Sequence, residues 1–286
     1  MKLVQVETGQ NTMKIKSNIN LLSNDLLSIQ ASLNGLSFCV LDITESTIVF
    51  FKEINFKEQK NPLEVEKLII NEFENNLFLQ REFKKVKLIH HNNLCTFVPK
   101  ILFNDKNLID YLKFENKVFN SDFIAADEIA SREIMAVYVP FVNLNNLFFE
   151  CFGSFEYHHA SKILLDNILK ITNDFSNKLF CNVSKSSFEL MYIKNGELNL
   201  FNSFEFNTPE DFIYYVLFTI EQLQIDTENI DFVLLGDIYI NDNQYNILYK
   251  YIRNVSFGEK INNYTISDSY KNLLNNYNQF SLLNSF

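Results

Sequence analysis

The sequence predicts an α/β protein of two lobes, each a mixed five-stranded sheet flanked by helices. Two observations carry this. First, residues 177–206 laid over residues 27–56, shifted by 150 positions without a gap, repeat one apolar pattern: Phe38 falls on Phe188, Val40 on Leu190, Ile48 on Leu198 and Phe51 on Phe201. Second, each stretch is followed by a proline-started run of helical period and then by an apolar, β-branched run. Three strands, a crossover helix and a returning strand form one α/β layer pair.

In the first half, SIQASL alternates, Asn34-Gly35 reads as a two-residue hairpin turn, LSFCVLD is the second strand, ITES a turn and TIVFFKEINF the third strand. Pro62 suits a first helical turn, and Val65, Leu68, Ile69, Phe73 and Leu77 follow helical spacing. KVKLIHHN is the fourth strand. The block between the halves reads as helices over NLIDYLKF and DFIAADEIASRE, then a strand IMAVYVP. A helix NLNNLFFECF closed by Gly153, a strand SFEYH and an amphipathic helix ASKILLDNILKIT complete it.

In the second half, KLFCNVS and FELMYIK are strands, Asn195-Gly196 is a turn and ELNLFNSFEF is a strand. Thr208 caps a helix that Pro209 starts, with Glu210 and Asp211 in its first turn. That helix, DFIYYVLFTIEQLQI, is apolar nearly all round and is expected to be deeply buried; IDFVLLGDI suits a central strand. The tail reads as helix, then strand or loop, then a helix over SYKNLLNNYNQF. The expected division is a polar lead-in over 1–24, a first lobe over 25–165 and a second over 166–286.

Composition narrows the function. The chain has 286 residues, 47% hydrophobic, with 29 Phe, enough apolar mass for two packed cores. Its formal net charge of -10 repels phosphate backbones, so nucleic acid is not the expected partner. Cys39, Cys95, Cys151 and Cys181 lie in or beside apolar runs with no C-x-x-C pair, which reads as reduced thiols in a cytoplasmic protein. No run reaches the ~18 apolar residues of a membrane span, and no secretory signal is visible.

The duplicated β-β-β-α-β-α-β-α unit resembles the actin-like ATPase (ribonuclease H-like) fold of sugar kinases, heat-shock ATPases and actin. VYVPFVNLNNLFFECFGSFEYHHASKILL is similar to the corresponding part of actin-like bacterial assembly proteins. LSIQASLNGLSFCVLD, TFVPKILFNDKNLIDYLKF, FGSFEYHHAS and SFEFNTPEDFIYYVLFTIEQL together resemble a bacterial domain-of-unknown-function family, number 3822, over roughly residues 24–286.

The resemblance implies glycine-rich turns, with an Asp-x-Gly pattern, that hold phosphate between the first two strands of each half. Glycine lets backbone N–H groups approach phosphate oxygens, and the acid positions Mg²⁺. Here Ser32 stands where the first acid belongs and Asn34 where the glycine belongs; Asn182 and Ser184 make the same replacements in the second half. A third glycine-rich turn keeps only Gly236. Asn182, Ser184, Lys185, Ser186, Ser187 and Gly236 are therefore the candidate residues of a vestigial nucleotide site. Asp42 reads as a surface acid of the second turn. The pairs His90-His91 and His158-His159 do not chelate by themselves, because strand neighbours point to opposite faces. The expected function is a non-catalytic scaffold or adaptor that binds a protein partner and needs no cofactor. The alternative is a nucleotide switch or ATPase that takes ATP with magnesium at an atypical site between the lobes.

Overall fold

The structure, a computed structural model, describes residues 24–113, 117–129, 132–173, 175, 177–259, 261, 264–274 and 277–286. Its first sheet is built from β1 (Asp25–Ala31), β2 (Gly35–Asp42), β3 (Thr47–Asn55), β4 (Lys85–His90) and β8 (Glu156–His159). They lie in the order β3-β2-β1-β4-β8, and a two-residue strand from the tail, β14 (Thr265–Ile266), adds a sixth beside β3. The second sheet uses β9 (Asn177–Val183), β10 (Ser187–Lys194), β11 (Glu197–Glu205), β12 (Asp231–Gly236) and β13 (Asn254–Phe257) in the order β11-β10-β9-β12-β13. Both sheets thus place their strands third, second, first, fourth, fifth, with the fourth parallel to the first.

The spacing between the halves is not uniform. β9 begins 152 residues after β1 (177 against 25), whereas β11 begins 150 after β3 (197 against 47). The difference is taken up at the second turn, four residues long at 43–46 and two at Asn195-Gly196. Because the slip is even, every side chain keeps its face. Leu36, Phe38 and Val40 pack in the first outer core, and Phe188, Leu190 and Tyr192 in the second. Asn195 and Gly196 both have positive φ, 53° and 76°, as a tight two-residue hairpin demands. Asn34-Gly35 does not form such a turn: the first loop is Ser32-Leu33-Asn34, and Gly35 already belongs to β2, paired with Asn55.

Helix α1 (Pro62–Asn75) covers the outer face of the first sheet. Its capping box joins Asn61 and Glu64, which satisfies two otherwise orphaned amides. The helix ends before Leu77, which is 80% exposed; Leu79 takes the buried place instead. α3 (Val142–Phe152) lies beside it and is closed by Gly153 at φ 71°. α5 (Pro209–Gln222) and α6 (Asn243–Leu248) cover the outer face of the second sheet. α5 is not buried all round: Phe212, Val216 and Ile220 face the core, while Tyr214, 60% exposed, stacks with Phe218 on the solvent side.

The block between the halves departs most from expectation. DFIAADEIASRE supplies β6 (Ala125–Ile129), not a helix. It pairs antiparallel with β7 (Ile134–Tyr138), and β5 (Cys95–Pro99) pairs on the other side to close a three-stranded sheet. Ala125 and Ile129 are buried opposite Tyr138 and Ile134, so cross-strand packing overrides the helical preference of Ala and Glu. α2 is only Leu108–Leu112.

The inner faces of the two large sheets pack on shared helices. Between them run α4 (Ala160–Ile171) and α7 (Phe280–Leu283). α4 turns Ala160 and Ile163 toward the first sheet and Leu164, Leu165 and Ile168 toward the second. α7 divides likewise: Phe280 packs with the second lobe, Leu282 and Leu283 with the first. The expected helix over SYKNLLNNYNQF is absent from its described residues; turns run from Asp268 to Leu273 and the helix begins at Phe280. The tail is tied down beyond it, with the Ser28 and Ser285 hydroxyls 2.7 Å apart and Tyr264 donating to the Leu283 carbonyl.

Candidate functional site

The turns after β1 and β9 and the residues that follow β4 and β12 open into one cleft of about 870 Å³ between the lobes. This is the carboxyl end of the central parallel strands, where open α/β sheets place their ligands. All six candidate residues, Asn182, Ser184, Lys185, Ser186, Ser187 and Gly236, line it. Only Ser184, Lys185 and Ser186 form the turn itself; Asn182 belongs to β9 and Ser187 to β10.

Several polar groups of the two turns are engaged within the chain. In the first turn the Ser32 hydroxyl oxygen accepts the amides of Asn34 (3.2 Å) and Gly35 (2.9 Å), and the Ser32 amide donates to the Gly35 carbonyl. In the second, the Ser184 amide donates to the Ser187 carbonyl at 2.8 Å. Lys185 reaches across the lobes and donates from Nζ to the Phe56 carbonyl at 2.8 Å. Asn182 Nδ2 donates to the buried Glu189 carboxylate at 2.9 Å, and Ser161 Oγ donates to its other oxygen. The Gly236 amide donates to the Tyr277 carbonyl of the tail at 2.9 Å. Gly236 stands at φ 83°, and a Cβ there would lie 2.1 Å from the Val183 carbonyl, so only glycine fits.

Residues that no motif marked share the cleft. Asp237, directly after β12, is crowded by protein although solvent reaches it. Burial, helped by the nearby charge of Glu53, pushes its carboxyl up to about 6, while His91 pulls the other way. Burial also raises Glu53, against hydrogen bonds from Asn55 and Gln279 that lower it. The sequence signal available was position: His91 and Asp237 each follow the last residue of a central parallel strand.

The other histidines hold the frame. His90 is fully buried; its Nδ1 accepts the Phe141 amide at 3.2 Å and its Nε2 donates to Asn145 Oδ1 at 2.9 Å. His159 accepts the Ser161 amide on Nδ1, which caps α4. Burial lowers both, His90 to about 4 and His159 well below its ordinary value. His158 lies 2.7 Å from Asp127, which also accepts the Tyr138 hydroxyl. Asp42 caps the second turn by accepting the Thr44 amide at 2.7 Å.

Residues 15–255 match the family described as Protein of unknown function (DUF3822). The chain belongs to this family. No curated protein matches it. Among solved structures it is similar to a protein of Bacteroides thetaiotaomicron VPI-5482 described as having an actin-like ATPase fold and unknown function. Identity is 19%, coverage 92% of this chain and 95% of that one, and the TM-score 0.70. It is also similar to a chain of the PilM-PilN type IV pilus biogenesis complex, at 10% identity, 91% and 97% coverage and a TM-score of 0.54. This DUF3822 member therefore has the actin-like ATPase fold. Among its described residues no helix is long and apolar enough to cross a membrane.

Proposed function

We propose that the chain is a non-catalytic actin-like protein, a scaffold or adaptor that binds a protein partner and has lost the nucleotide chemistry of its fold. The observation that carries this reading is the engagement of the phosphate-turn donors by the chain itself. A triphosphate needs free backbone amides and a mobile lysine. Here the amides of Asn34 and Gly35 are held by Ser32, that of Gly236 by Tyr277, and the Lys185 ammonium by Phe56. No carboxylate stands at Ser32 or Asn182 to orient Mg²⁺. These residues do not fit magnesium-bound ATP.

Partner binding draws support from the likeness to PilM, which is found in a complex with PilN. Exposed apolar side chains support it too: the Tyr214–Phe218 stack, and Ile101 and Leu102 at the tip of the small sheet. Four free cysteines, three of them buried, favour a reducing, cytoplasmic setting.

One observation favours a nucleotide switch instead: all six candidate residues line one cleft of about 870 Å³. Titration calorimetry with ATP and Mg²⁺ separates the readings. The scaffold reading expects no heat of binding at millimolar ATP. Micromolar binding that Lys185→Ala weakens would replace it with the switch.

A further inference from the structure

The cleft has a chemistry of its own. Its floor and sides carry the carboxylates of Glu53 on β3, Glu205 on β11 and Asp237 after β12. Of its two lysines, Lys185 is held by the Phe56 carbonyl and Lys117 stands over the ring of Phe119 at 5.8 Å. Two amide oxygens of the floor, Gln30 Oε1 and Gln279 Oε1, are shut off from solvent with no hydrogen-bond partner among the described residues. The Gln279 orientation is fixed, because its Nε2 donates to Glu53 at 2.7 Å. The floor therefore holds amide acceptors that no described donor fills, one of them on the side chain bonded to Glu53. One rim is the reverse: Phe119 and Phe123 are each more than half exposed, and Val142 lies exposed at the start of α3.

We infer that this cleft receives an extended segment of a partner protein, with a lysine or arginine side chain lodged beside Glu53 and Asp237 and neighbouring apolar residues laid against Phe119, Phe123 and Val142. The inference rests on the partner-binding reading above and names where and by what chemistry that partner docks. Charge complementarity selects the cation: an ammonium or guanidinium brings only donors, three or five of them, to a floor of acceptors. It also lies between carboxyl groups that now repel one another. A bare metal ion is the poorer occupant, since no group of three or more His, Cys, Asp or Glu residues converges among the described residues. A small amine would leave the rim uncovered, whereas aromatic side chains beside a desolvated charge are the pattern of protein interface hot spots.

The test uses the full chain. A random dodecapeptide phage library is panned on it, and enriched peptides are synthesised with a fluorophore and titrated by anisotropy. Enriched sequences are expected to carry Lys or Arg flanked by apolar residues. Affinity is expected to fall at least tenfold in the Glu53→Gln/Asp237→Asn double variant and severalfold in Phe123→Ser. Thermal unfolding of the double variant at neutral pH should match or exceed wild type, because both side chains have exposed surface and their mutual repulsion is removed, so weakened binding is not misfolding. No enrichment, enrichment of neutral or acidic peptides, or unchanged affinity in the double variant overturns the inference. So does free spermidine or arginine binding as tightly as the peptides. A partner that binds wild type and double variant equally leaves the scaffold reading standing and removes only the cleft from it.

Discussion

Protonation of one buried imidazole should make this protein lose stability in mild acid. His90 ends β4 with no exposed surface, accepts the Phe141 amide on Nδ1 and donates from Nε2 to Asn145. A second proton would set one N–H against another at the start of α3. Burial therefore lowers the group from 6.5 to about 4. Between those values the unfolded chain binds a proton that the folded chain refuses, so stability falls as pH falls. The stabilising effect is complete above pH 6.5 and lost by about pH 4. The gap of about 2.5 pH units, at about 1.4 kcal/mol each, comes to about 3–4 kcal/mol. Urea unfolding followed by circular dichroism at pH 7.5, 6.5, 5.5 and 4.5 reads the slope. His90→Gln keeps an acceptor and a donor without a titration. Its stability should fall less steeply than wild type, by about 1.4 kcal/mol per pH unit in this window. Other titrating groups, His159 with the same sign and Asp237 with the opposite one, are common to both chains and drop out of the difference. Parallel slopes would refute the reasoning.

Further outcomes are open to measurement. Gly236→Ala must place a Cβ 2.1 Å from the Val183 carbonyl at φ 83°, so a loss of more than about 2 kcal/mol in urea unfolding is expected. Phe280→Ala empties a buried position between the sheets and should destabilise by about 3–5 kcal/mol, whereas the exposed Leu273→Ala should stay within about 0.5 kcal/mol. Asp237 is raised to about 6, so its charge opposes folding above that pH and the penalty disappears as pH falls toward 3.8. Asp237→Asn should accordingly raise the melting temperature at pH 7.5 and leave it little changed near pH 4. Lys185→Ala removes the tie to Phe56 and should lower stability by about 1 kcal/mol.

Much of the frame was legible because its signals are local. The apolar strand runs LSFCVLD and FELMYIK, the Asn195-Gly196 turn, and the proline starts of α1 and α5 each depend on a few adjacent residues. The errors fall where distant residues decide. AADEI becomes a strand because of Tyr138 and Ile134 across the sheet, and nothing within the segment encodes them. The apolar residues of α7, Phe280, Leu282 and Leu283, are buried by two different lobes rather than along one helical face. The six candidate residues line one cleft. What Lys185 and Gly236 bond to was not legible, since Phe56 lies 129 residues before Lys185 and Tyr277 lies 41 after Gly236.

The bond from the Gly236 amide to the Tyr277 carbonyl makes the tail a resident competitor. Any anion drawn to that amide has to displace a carbonyl of the same chain, so the two states exclude each other. By reciprocity, whatever factor the docked tail subtracts from such an anion's affinity, the bound anion subtracts from the tail's hold on the second lobe.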